Sequence, residues 1–177
     1  MDEEGQKPRR THRLCSLKPW RQPVFSIRFH GRAGLLSLAP MKSLFHLAFN
    51  VADLDEARRF YGGVLGCVEG RATATWVDFD FFGHQLSLHL GETFKTESTG
   101  HVGDQRVPMP HFGLVLALPD WQAMAARLEA AKTRFVLAPQ LRFENQPGEQ
   151  WTMFFCDPFG NPIEIKGLRS FDTLYAA

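Results

Sequence analysis

From residue 44 to residue 166 the apolar positions switch between a period of two and a period near 3.6. Residues 44–51 alternate: Phe45, Leu47, Phe49 and Val51 take one face, and His46, Ala48 and Asn50 the other, which predicts a strand. A helix is predicted from an N-cap at Asp53, with Glu56 at capping-box spacing, to about Leu65. Leu54, Ala57, Phe60, Tyr61, Val64 and Leu65 form its apolar stripe, and Gly66 is placed to stop it. Three strands follow, over 67–71, 75–82 and 85–90. In the second, Val77, Phe79 and Phe81 alternate with Trp76, Asp78 and Asp80; in the third, Leu86, Leu88 and Leu90 alternate with Gln85, Ser87 and His89.

The pattern lapses over 91–109, a polar stretch with Gly91, Gly100, Gly103 and Pro108 that reads as a linker or mobile loop. It resumes with a strand over 110–116 and a helix over 120–132 that presents Trp121, Met124, Ala125 and Leu128 on one side. A short strand over 135–138, a loop over 139–149 and a hairpin of 150–156 with 162–166 complete it. The hairpin turns on Asp157-Pro158 and Gly160-Asn161, residue types suited to a tight turn. The chain is therefore an internal repeat of about 65 residues, each copy strand-helix-strand-strand-strand. The predicted fold is α+β: two βαβββ modules forming a cup-shaped, partly open mixed sheet, with the helices on the outer face. Module 1 covers about 41–91, a linker 92–109, and module 2 about 110–170, within a domain of 41–177.

Composition adds bounds. The sequence has 177 residues, and its sixteen Phe point to a well-filled interior. The formal net charge of +1 gives no general case for nucleic acid, but it hides an asymmetry. Residues 1–40 carry eight Lys/Arg against three acids, a net of +5, and residues 41–177 carry twelve against sixteen, a net of −4. Cys15, Cys67 and Cys156 are odd in number and scattered, which argues against a disulfide framework and suits a reducing, cytoplasmic setting. No apolar run is long enough to span a membrane.

The repeat carries the candidate chemistry. His46 and His111 hold equivalent positions near the start of the first strand of each module, on the face away from the helix. Glu164 lies between Ile163 and Ile165 and projects to the same face of the last strand. Two imidazoles and one carboxylate make the facial ligand set of iron(II), also usable by manganese(II). A divalent ion there leaves a site charge near +1, which favours a bidentate anion. Ser87 occupies the repeat position of Glu164, and His89 that of Lys166. His89 is a fourth ligand, an acid/base, or an ordinary strand histidine. His84 and His101 are further acid/base candidates, against a reading as turn or surface histidines. Arg106 and Arg142 sit where they meet an anionic substrate group or simply water. Trp76, Phe79, Trp151 and Phe154 either line an apolar pocket or fill the core.

The paired modules, His46 in Leu-Phe-His-Leu-Ala-Phe-Asn-Val, Phe60-Tyr61 before Leu65-Gly66, His111, and Asp157-Pro-Phe-Gly-Asn-Pro-Ile-Glu164 together resemble the vicinal-oxygen-chelate superfamily. That group includes glyoxalase I, fosfomycin-resistance enzymes, bleomycin-binding proteins and extradiol dioxygenases. The resemblance covers about residues 41–170 and is nearest to small extradiol-type proteins. It implies a divalent metal, Fe(II) first and Mn(II) second, on His46, His111 and Glu164. It also implies a small-molecule substrate that chelates the metal through two neighbouring oxygens, with O2 as co-substrate of a ring-cleaving dioxygenase. The alternatives are a glyoxalase-like lyase or isomerase and a non-catalytic antibiotic-binding protein. Ser87 counts against the glyoxalase alternative, whose proton transfer uses a carboxylate at that position. The modules pair within one chain or across a homodimer, and neither nucleic acid nor membrane is expected as a partner.

Residues 1–40 lack sustained periodicity and hold Pro8, Pro19, Pro23 and Pro40, which reads as disordered or loosely attached. A basic tail is one explanation, and a targeting peptide another, against which Asp2-Glu3-Glu4 argues. The favoured expectation is that translation begins at Met41. The N-terminal mass of natively expressed protein should then start there, and peptides from residues 1–40 would overturn it.

Overall fold

Strand β1 (His46–Val51) opens the first module in this computed structural model, which describes residues 43–175. The expectations for residues 1–40 lie outside the described residues. Asp53 caps the helix as its spacing requires, its Oδ1 accepting the Glu56 amide at 2.8 Å. The helix starts as α1 (Leu54–Ala57) and continues as a π-helical stretch over Arg58–Leu65. Gly62-Gly63 in that stretch bring little α-helical propensity. Gly66, at φ 83°, ends it, and the Cys67 amide donates to the Tyr61 carbonyl at 2.8 Å.

Strands β2 (Val68–Ala72), β3 (Trp76–Asp80) and β4 (Gln85–Leu90) complete the first sheet, in the order β1-β4-β3-β2 with β1 parallel to β4. The stretch expected as a loop over 91–109 is instead a hairpin of β5 (Glu97–Val102) and β6 (Gln105–Met109), turning on Gly103 at φ 62°. Its alternation is weak because only Val102, Val107 and Met109 are large and apolar, and only Val107 is buried, packed with Leu137 and Phe154. Then come β7 (Phe112–Ala117), α2 (Leu118–Ala130), β8 (Phe135–Arg142), β9 (Gln150–Cys156) and β10 (Pro162–Leu168). Helix α2 begins before Pro119, which the first helical turn tolerates because those amides have no intrahelical acceptor. Strand β8 runs past Pro139, where the expected strand stops; it is an edge strand and its register slips between Leu137 and Gln140. The second sheet has the order β7-β10-β9-β8, with β7 parallel to β10.

The two sheets thus have one topology, and register makes the repeat exact at residue level. Ala48 faces Ser87 across β1 and β4, and Gly113 faces Glu164 across β7 and β10. His46 and His111 each stand two residues before the first member of those pairs. Among the described residues, two principal helices and open, unclosed sheets give the expected α+β cup. Each sheet buries its helix-side face: Val77, Phe79, Leu86 and Leu88 in module 1, Met153, Phe155, Ile163 and Ile165 in module 2. The opposite faces hold the polar residues of interest. Among the described residues, no helix is long and apolar enough to cross a membrane.

The modules share this core and are tied through it. Tyr61, fully buried, donates its hydroxyl to Asp157 Oδ2 at 2.8 Å, and Arg127 of α2 donates to the Gly63 carbonyl at 2.7 Å. Burial pushes the Tyr61 phenol well above its ordinary range, and the Asp157 carboxylate beside it adds to the shift. The folded state keeps a proton that the unfolded chain releases near pH 10, so this contribution to stability is full below pH 10 and lost as pH rises above it. Tyr61→Phe leaves Asp157 short of a donor and should lower unfolding free energy by about 1–3 kcal/mol. Denaturant titrations from pH 8 to 11 should also show a shallower alkaline loss of stability in the variant.

Candidate metal centre

His111 immediately precedes β7 and Glu164 lies on β10, the strand paired with β7. Gly113 allows these strands to meet: a Cβ there would fall 1.6 Å from the Glu164 carbonyl oxygen. His111 Nε2 stands 3.4 Å from Glu164 Oε2. The His111 Nδ1 lies 3.0 Å from the Pro108 carbonyl, which can only accept. Nδ1 therefore carries a proton, and Nε2 is the ring nitrogen that faces Glu164. Thr152 Oγ1 donates to Glu164 Oε1 at 3.0 Å, so Oε2 is the freer acceptor. Phe154 packs edge-on against the His111 ring at 4.9 Å between centroids and holds its plane.

His46 belongs to the equivalent position of module 1 but is not gathered with this pair. It is exposed on β1, an edge strand, beside Phe45 at 62 % and Leu44 at 74 % exposure. Among the described residues, no three His, Cys, Asp or Glu side chains come close enough together to enclose an ion. A cavity of about 590 Å³ runs between β1 and β7, and Ala48, Asn50, Phe94 and His111 are among its lining residues.

His89 is exposed on β4, its ring 6.3 Å from that of Trp76, in the sheet that lacks the His111–Glu164 pair. His84 accepts the Phe45 amide at its Nδ1 at 3.3 Å, and His101 faces Arg106 across the exposed β5–β6 hairpin. The Arg142 guanidinium covers the Phe143 ring at 4.6 Å. Of the four aromatic candidates, Phe79 and Phe154 are buried core residues, while Trp76 and Trp151 stay half-buried.

One cluster went unrecognised in the sequence. Ser87, at the repeat position of Glu164, donates to Asp78 Oδ1 on β3, directly opposite it in register. Asp78 Oδ2 accepts from Arg71 at 3.0 Å and Gln85 at 3.2 Å. Burial alone would raise the Asp78 pKa; the hydrogen bonds from Ser87, Arg71 and Gln85 outweigh it and hold the group below its usual value. Module 1 thus does carry a buried carboxylate on its cup face, one strand away from the expected place. Alternation puts Asp78 on that face, but its partner is set by strand register, which alternation leaves open. Lys166 was also missed, and its Nζ lies 3.5 Å from Glu164 Oε2.

Residues 43–165 match the family described as Glyoxalase/Bleomycin resistance protein/Dioxygenase superfamily. The chain is similar in structure to a glyoxalase/bleomycin resistance protein/dioxygenase from Alicyclobacillus acidocaldarius, with 30% identity, a TM-score of 0.63, and coverage of 75% of this chain and 96% of that one. It resembles the fosfomycin resistance protein FosX from Listeria monocytogenes at 13% identity and a TM-score of 0.57, covering 76% of this chain and 98% of the other. A lactoylglutathione lyase from Agrobacterium tumefaciens is similar at 20% identity and a TM-score of 0.53, covering 78% and 100% respectively. The last two likenesses concern the fold alone. No curated protein matches the sequence.

Gly113→Ala should force β7 away from β10 at the His111–Glu164 pair, at a cost of about 3 kcal/mol measured by chemical denaturation.

Proposed function

Because the chain belongs to the glyoxalase/bleomycin resistance protein/dioxygenase superfamily, we propose that it is a metal-dependent enzyme whose small substrate binds through two neighbouring oxygens. The carrying observation is the His111–Glu164 pair. Two ligand atoms about 2.1 Å from one ion stand roughly 3.0–3.4 Å apart when they are neighbours in its shell. His111 Nε2 and Glu164 Oε2 are 3.4 Å apart, and a carbonyl and a hydroxyl already hold the other polar atom of each side chain. The donor set fits a divalent ion, and with His46 it is the two-histidine, one-carboxylate set suited to Fe(II), with Mn(II) as the alternative.

His46 reaches that set from a second copy of the chain. Among the described residues it lies exposed on an unpaired sheet edge beside two exposed apolar residues, as a surface awaiting a partner would. A homodimer then places module 1 of one copy against module 2 of the other.

The bound metal supplies Lewis acidity and a meeting point for the substrate oxygens and O2. The residues of the chain fix the rest. Pro108 sets the His111 tautomer, Thr152 orients Glu164, and Phe154 walls one side of the imidazole. Extradiol-type cleavage of a catechol-like ring is the finer reading. The Ser87 proton is already donated to Asp78, and the Asp78 carboxylate is taken up by three donors. No free carboxylate therefore stands where glyoxalase-type proton transfer would need one.

Purified protein should bind about one Fe(II) or Mn(II) per His111–Glu164 pair, and His111→Ala and His46→Ala should each abolish it. Refolding equal amounts of the two variants together should restore about a quarter of the wild-type metal content, because roughly half of the dimers are mixed and one of the two sites in each mixed dimer is intact. No recovery would rule out the shared site. Oxygen uptake with a panel of catechols, beside hemithioacetal isomerisation with glutathione, separates the two enzymatic readings.

A further inference from the structure

One oxygen of Glu164 is contested. Oε1 is taken by Thr152, while Oε2 faces His111 Nε2 at 3.4 Å and Lys166 Nζ at 3.5 Å. Lys166 lies two residues along β10 from Glu164 and on the same face. The carboxylate oxygen most open to a metal ion therefore already has an ammonium beside it. Among the described residues Lys166 makes no other ion pair. The repeat sharpens the point: the equivalent pair in module 1 is Ser87 and His89, with neither carboxylate nor lysine.

We propose that Lys166 is a built-in counter-cation. It neutralises Glu164 while the site is empty, competes with the divalent ion for Oε2, and turns to an anionic group of the substrate once the ion is bound. The inference rests on the metal reading above.

The physical case is one of like charges. An ion bonded to Oε2 at about 2.1 Å would stand no more than about 5.6 Å from an ammonium held 3.5 Å from the same oxygen. Two cations at that range repel, and only weak screening acts in a partly buried site. Glu164 cannot yield, because its side chain is 10% exposed and tied to Thr152. Lys166 can, because its side chain is 34% exposed and sits on a flexible four-carbon stem. Displaced, its ammonium loses its carboxylate partner while still facing the cup. A chelating anion on the metal supplies the replacement, so metal and anion each strengthen binding of the other.

The test uses full-length protein and needs no turnover. Mn(II) binding is followed by the loss of the free-ion paramagnetic resonance signal, and 4-nitrocatechol binding to the Mn-loaded protein by its absorbance shift. Lys166→Met should bind Mn(II) more tightly than wild type by on the order of tenfold, and its Mn-loaded form should bind 4-nitrocatechol more weakly by a similar factor. Lys166→Arg keeps the charge and should stay near wild type on both counts. Lys166→Gln is the second variant should the methionine impair folding, which thermal unfolding reports. Equal, measurable Mn(II) affinities in wild type and Lys166→Met would overturn the competition. Unchanged 4-nitrocatechol affinity would overturn the substrate contact. Failure of wild type and Lys166→Met alike to bind Mn(II) would remove the metal site itself, a result distinct from either.

Discussion

A phenol buried in one module donates to a carboxylate buried in the other, and the rest of the architecture hangs from that bond. Asp157 takes four donors: Tyr61 and the Asn161 side-chain amide on one oxygen, and the amides of Phe159 and Asn161 on the other. Burial raises the Asp157 pKa, and these hydrogen bonds pull against that rise. A carboxylate this enclosed is tolerated only because every donor arrives, so turn, helix and strand are required together. The turn it organises joins β9 to β10, the strands that carry Thr152 and Glu164. The core tie thus sets where the candidate ligand stands.

The same logic explains the strand edges. In each sheet the first strand of the module pairs in parallel with the last, which leaves β1 and β7 at the rims. Those rims carry His46 and lead out from His111. A parallel pair needs a long connection, and the helix of each module supplies it while covering the sheet's apolar side. The polar face is left open by construction. A fold built this way leaves the polar face of each sheet accessible beside its rim strand.

The modules have also diverged in how their carboxylates are used. In module 1, Asp78 is enclosed by Ser87, Arg71 and Gln85, all from its own sheet. In module 2, Glu164 has one oxygen fixed and one facing only nitrogen atoms that can give way or bind in turn. A carboxylate with spare capacity is the one able to take a cation. The candidate chemistry is therefore asymmetric, although the backbone is duplicated.

Much of this was legible in the linear order of residues. Alternation, the Asp53 cap, the Gly66 stop and the paired order of elements determined the α+β class and the repeat, because period and capping are local properties of the chain. The same alternation put His46, Glu164 and Ser87 on faces opposite the helices. The β5–β6 hairpin was hidden because its residues are mostly polar, and β8 was cut short at Pro139 because a proline on an edge strand looks like one in a loop. Only the tertiary structure decided which polar residues meet. Asp78 with Ser87, Tyr61 with Asp157, and Lys166 with Glu164 depend on strand register and on helix-to-sheet packing between distant segments. It also decided that His111 and Glu164 stand together while His46 remains on an open rim. Those distances are set by the shared core, and no local pattern in the sequence encodes them.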